Sequence, residues 1–157
     1  MRKGLLSIFV LMCCCAVFFG CKKNSVSSAT LHPYLTATVN DTSAFTAEIV
    51  VPSTVDTQTN DTTTALVISA NSSYQYAFTD QIILQINRYK GAAGVFSIIN
   101  TKNQAGAAFV HNGVVDYAAS GVVAITQITS DRIIGYFSFT TLGGVPVTNG
   151  TYSVNKP

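Results

Sequence analysis

From Tyr34 onward, apolar side chains fall on alternate positions, and turn-forming residues interrupt them about every ten residues. A period of two sends successive side chains to opposite faces of an extended strand. A helix instead needs apolar residues three and four apart, and no such spacing persists past residue 20. This pattern restricts the chain to an all-β fold of roughly nine or ten strands. Nearly all connections are short, which predicts a single antiparallel β-sandwich or flattened barrel with mostly meander connections.

Leu35, Ala37 and Val39 share one face, with Thr36 and Thr38 on the other. Asn40-Asp41-Thr42 turns the chain, and Phe45, Ala47 and Ile49 resume the alternation as the second arm of a hairpin. Pro52 is expected to end that arm, because proline donates nothing to a ladder. Residues 53–64 (STVDTQTNDTTT) read as a loop. Asp56, Gln58, Asn60 and Asp61 give it a slight likeness to a calcium loop. The likeness fails for want of a sixth-position glycine and because Val67 stands where the bidentate glutamate belongs.

Leu66, Ile68 and Ala70 mark the next strand, and Ile82, Leu84 and Ile86 another. Between them Tyr74, Tyr76 and Phe78 alternate, either as one buried strand face or as a stacking platform for a sugar. Further strands are expected at 95–99 and 107–111. Asn112-Gly113 is the strongest two-residue hairpin signal, since both residues tolerate positive φ. Strands at 114–118 and 121–128 follow, then a closing pair at 132–140 and 145–154 with a bulge or tight bend at Asn149-Gly150. His111 flanks that hairpin with Asp116 on the returning strand; in a two-residue hairpin the two are not directly opposite, so His111 reads as an ordinary strand-end histidine, with a His–Asp dyad as the alternative.

The first 33 residues have a different character. Arg2 and Lys3 precede an apolar run from Leu5 to Phe19, shorter than the roughly 20 residues of a membrane-spanning helix and ending on Gly20. The reading is a signal peptide at 1–20, a lipidated Cys21 with a Ser-rich flexible tether over 21–33, and a β-domain at 34–157. Gly20-Cys21 resembles a lipobox, although Phe18 and Phe19 depart from its usual Leu and small residue. The lipid chains that this resemblance implies contribute ~0.8 kcal/mol per buried CH₂, enough for stable anchoring when two or more are present.

Removing residues 1–20 changes what the composition means. Cys13, Cys14 and Cys15 go with the leader, so Cys21 alone remains. Disulfides, a thiol catalyst and a cysteine-ligated metal are thereby excluded from the β-domain. From residue 25 onward, Arg88, Lys90, Lys102, Arg132 and Lys156 face seven acids, five against seven, a balance of −2. No basic face for nucleic acid survives.

The chain resembles a group of small Bacteroidota lipoproteins without an assigned activity. The resemblance rests on the lipobox, Thr36-Ala37-Thr38-Val39-Asn40, Tyr117 followed by Gly121, and a closing hairpin. That hairpin reads Gly135-Tyr136-Phe137-Ser138-Phe139-Thr140, then Thr148-Asn149-Gly150-Thr151-Tyr152-Ser153-Val154. It implies an envelope β-domain and transfers no catalytic residue. Bacteroidota lipoproteins also suggest outer-membrane placement, and the absence of an acidic export run points to the periplasmic face. Asp61-Thr62-Thr63 resembles their Asp-Thr-X acceptor, making Thr62 a candidate for O-glycosylation.

No enzyme is expected. The chain has two histidines, of which His32 lies in the tether, and Glu48 is its only glutamate. It contains no G-x-S-x-G elbow, H-E-x-x-H or phosphate loop, so no catalytic residue, metal or cofactor is assigned. The expected function is a lipid-anchored, non-catalytic β-domain that binds an envelope protein or glycan. The alternative is a lipocalin-like carrier of a small apolar ligand. Besides Cys21, the candidate binding residues are Tyr74, Tyr76, Phe78 and His111.

Overall fold

The computed structural model describes residues 32–59, 61–73, 80–98 and 104–157, without the side chains of 56–59 and 61–63. The leader, Cys21, the Thr62 side chain and Tyr74, Tyr76 and Phe78 all lie outside the described residues.

Ten strands form the β-domain: β1 (Tyr34–Val39), β2 (Ser43–Thr46), β3 (Ile49–Thr59), β4 (Asp61–Asn71), β5 (Gln81–Ile86), β6 (Gly94–Ile98), β7 (Ala105–His111), β8 (Val114–Ile128), β9 (Arg132–Thr141) and β10 (Pro146–Asn155). All pair antiparallel in one sheet of order β2-β1-β10-β9-β8-β7-β5-β4-β3, with β6 attached to β8 beside β7. The first and last strands of that order are consecutive in the chain. Only Ala47 and Glu48 join them. The Ala47 N–H donates to Leu35 of β1 at 2.9 Å, and the Glu48 N–H donates to Asn71 of β4 at 2.9 Å. Two neighbouring residues thus bond to opposite ends of the sheet, which must curl into a half-barrel to allow it.

The inward positions are those the alternation predicts. Leu35, Leu66, Ile68, Ile82, Leu84, Ile86, Ile125, Phe137, Phe139 and Val147 are buried in a single cluster. Burying each such side chain contributes about 1.5–3 kcal/mol, so this cluster is the principal source of stability.

Turn chemistry also follows the sequence. Asn112 and Gly113 take φ of 50° and 78°, the left-handed pair that a tight hairpin needs. The register between β9 and β10 shifts between Val147 and Gly150, and Asn149 has φ 52°, so the expected bulge is present.

Four expectations about strands are corrected. The Phe45-to-Ile49 arm is two strands, because Ala47 and Glu48 carry the chain from β1 to β4. Pro52 does not end a strand. It lies inside β3, which pairs only with β4 at the end of the sheet order, where a missing donor breaks no second ladder. Residues 53–64 are mostly strand, in a β3–β4 ladder reaching Thr59 and Asp61. Their threonines and valines are β-branched and suit extended backbone despite their polarity. Finally, 114–118 and 121–128 are one continuous strand, β8, with Gly121 inside it.

Gly121 and Gly135 mark close approaches. A Cβ on Gly121 would collide with the Ser138 carbonyl and with Phe139, and its φ of 141° disfavours a side chain as well. At Gly135, a Cβ would collide with the Ala124 carbonyl and the Tyr152 phenol. That gap lets the buried Tyr152 ring pass beneath β9, where its hydroxyl donates to the Ala124 carbonyl at 2.8 Å. Burial pushes the Tyr152 phenol up, with the Tyr89 phenol adding to the effect.

Candidate functional site at the sheet mouth

The inward face changes character at one end of the sheet. Ala70, Ile82 and Phe109 form a buried cross-strand row on β4, β5 and β7. Two residues nearer that end on each strand, which is forward from Ala70 and Phe109 and backward from Ile82, the same face carries Ser72, His111 and Asp80. An apolar row therefore gives way to a hydroxyl, a carboxylate and an imidazole.

Hydrogen bonds fix this outer row. The Ser72 N–H donates to the Asp80 carbonyl at 3.0 Å, prolonging the β4–β5 ladder. His111 Nδ1 lies 2.6 Å from Asp80 Oδ1, and Asn112 Nδ2 lies 2.9 Å from His111 Nε2. An amide nitrogen only donates, so Nε2 accepts and Nδ1 carries the proton given to Asp80. The Phe109 ring stacks under the imidazole at 6.1 Å between centroids. The imidazole is thus held on three sides, yet its side chain remains 62% exposed.

These residues border a pocket of about 520 Å³. Its apolar lining includes Val39, Phe45 and Phe109; its polar lining includes Ser72, Asp80 and His111. The β1–β2 hairpin supplies the facing wall. Tyr34, where the chain enters the domain, is at the far end of β1 from Val39, roughly 17 Å away at the usual strand rise.

His111 is accordingly the one sequence-predicted binding residue that the described residues place, and it lies in the pocket. The alternative of a dyad with Asp116 is not what the structure places there. Asp116 instead receives the Gly143 N–H at 3.1 and 3.2 Å on its two carboxylate oxygens, so it holds the β9–β10 connection. Asp80 takes its place beside His111. The β5–β7 register brings Asp80 opposite His111, while β6 intervenes in the chain. Only the alternation of β5, extended one residue upstream to Asp80, gave a sequence signal for it.

The order along the row decides its chemistry. A hydrolytic triad needs the imidazole between hydroxyl and carboxylate. Here Asp80 stands between Ser72 and His111, and Nε2 faces an amide. The arrangement offers fixed donors and acceptors above an aromatic floor. Among the described residues, no group of three His, Cys, Asp or Glu side chains is placed to hold a metal ion.

Compared with protein-family models, curated proteins and solved structures, the chain gives no match.

Proposed function

We propose that the chain is a cell-envelope lipoprotein, anchored through lipidated Cys21 to the outer membrane and facing the periplasm. Its non-catalytic β-domain, a flattened barrel, binds an envelope glycan or a glycan-bearing protein at the mouth pocket. The observation that carries the reading is the Asp80–His111–Asn112 chain of hydrogen bonds beside Phe45 and Phe109. Sugars present hydroxyls at their edges and C–H groups on their faces, and they are matched by ordered polar groups next to aromatic surface.

Lipocalin-like carriage of an apolar ligand is the weaker reading. Leu66, Leu84, Ile125 and Phe137 fill the space between the walls, leaving the mouth as the place for a ligand.

The test is calorimetric titration of the full-length protein in detergent with envelope oligosaccharides. His111→Ala and Asp80→Asn are each expected to weaken binding about tenfold, the equivalent of one good polar contact of ~1.4 kcal/mol. Unchanged affinity in both variants would remove the mouth from the binding site.

A further inference from the structure

From the Tyr136–Thr151 row to the Ser120–Thr140 row, the outer surface of the wall formed by β2, β1, β10, β9, β8 and β6 bears no charge among the described residues; Arg132 lies on the same face of β9 beyond Ile134, where its Nη1 donates to Ser153 Oγ at 3.1 Å. One row, read through the register, is Thr46, Thr36, Thr151, Tyr136, Ala124 and Val95. Neighbouring rows on β8 and β9 place Ser120 opposite Thr140 and Val122 opposite Ser138. A surface of this size on a soluble domain ordinarily mixes in charged residues, which makes a neutral hydroxyl face informative.

Two depressions of about 490 and 160 Å³ cross this wall and share Ser138 and Thr148. Tyr136 and Thr151 border one end, and Ser120 and Thr140 the other. Tyr136 to Thr140 spans about 13 Å along β9 at the strand rise. The Asn149 bulge and Gly121 lie along this groove, and they interrupt the regular side-chain rows there.

We propose that this groove binds an extended segment of an uncharged polysaccharide. Its threonine and serine hydroxyls donate to and accept from sugar hydroxyls, and Tyr136, 42% exposed, stacks on a sugar face at one end. Charge selects the ligand. A polyanion meets no lysine or arginine in the lining, and a polycation meets no carboxylate. Strand addition by a peptide is closed off, since β8, β9 and β10 are paired on both sides here. The hydroxyls are also pre-ordered. Thr36 and Thr151 lie 3.1 Å apart, oxygen to oxygen, and branched threonine side chains on paired strands lose little freedom on binding. This site lies on a different face from the mouth and does not rest on that reading.

The experiment is affinity electrophoresis of the full-length protein in detergent through gels containing dextran, laminarin or galactomannan, with polygalacturonate as the anionic control. The expected result is retardation by at least one neutral polymer and none by the polyanion. Thr151→Lys and Tyr136→Ala should each weaken that retardation about tenfold, also in a His111→Ala background in which the mouth is already disabled; thermal melts confirm that each variant folds. No retardation by any neutral polymer overturns the proposal, as does equal retardation by polygalacturonate. Retardation lost only in His111→Ala also overturns it, and leaves the mouth reading standing.

Discussion

Gly135→Val is expected to destabilise the β-domain by about 4 kcal/mol, a large part of the 5–15 kcal/mol typical of a folded domain. The reason is steric. Gly135 is not in the left-handed region, so any side chain suits its backbone, but none has room. A Cβ there meets the Ala124 carbonyl on β8 and the Tyr152 phenol from β10 together. Relieving the collision separates β9 from β8 or expels the Tyr152 ring from beneath β9. Either movement breaks the hydrogen bond from the Tyr152 hydroxyl to Ala124. Tyr152→Phe isolates that last term and is expected to cost about 1–2 kcal/mol, leaving the ring in place. In the Tyr152→Phe background, Gly135→Val should still be strongly destabilising, because the Ala124 carbonyl remains in its way. Urea midpoints with unchanged m-values measure all three. A Gly135→Val midpoint close to the wild-type value would contradict the packing described at β8–β9–β10.

Cys21→Ser carries the second large effect, on location instead of stability. Lipidation through a thioether needs the sulfur, and a serine oxygen is no substitute for it. On the proposed anchoring, the variant is expected to lose all incorporation of radiolabelled fatty acid. With ~0.8 kcal/mol contributed by each buried CH₂, loss of two or more chains removes essentially all membrane affinity of the mature domain. Label incorporation is the decisive reading, because an unprocessed apolar run from Leu5 to Phe19 could retain the chain at a membrane by itself. A Cys21→Ser protein that still takes up label would place the lipid elsewhere and withdraw the proposed anchor.

The two proposed sites are expected to separate under mutation for a geometric reason. His111 belongs to the inward-facing row at the mouth, whereas Thr151 and Tyr136 face outward from β10 and β9. Changes at one are not expected to alter the other, since side chains of opposite parity on paired strands do not meet.

Much of the fold is legible in local pattern. Alternation alone places Leu35, Leu66, Ile82, Leu84 and Phe137 inside, because burying one face of a strand leaves no other choice of parity. Asn112-Gly113 and Asn149-Gly150 announce their turn and bulge because few residues accept positive φ. Where an outcome depends on a neighbour distant in the chain, the local signal gives out. Pro52 looks like a terminator until β3 proves to be an edge. The threonines between residues 53 and 64 look like loop until a partner ladder supplies their hydrogen bonds. Gly121 looks like a boundary, yet β8 continues through it because β9 runs alongside from Ala118 to Ile128.

The site divides in the same way. The sequence by itself determined that His111 sits at a hairpin, that the β-domain has no cysteine beyond Cys21, and which faces are apolar. Only the tertiary structure decided that His111 meets Asp80 and that Asp116 holds Gly143 instead. It alone brought Tyr136, Ser138 and Thr140 of β9 alongside Thr151 of β10 and Ser120 of β8 in one uncharged groove. The physical reason is register: alternation sets which way a side chain points, while hydrogen bonding between distant strands sets what it points at.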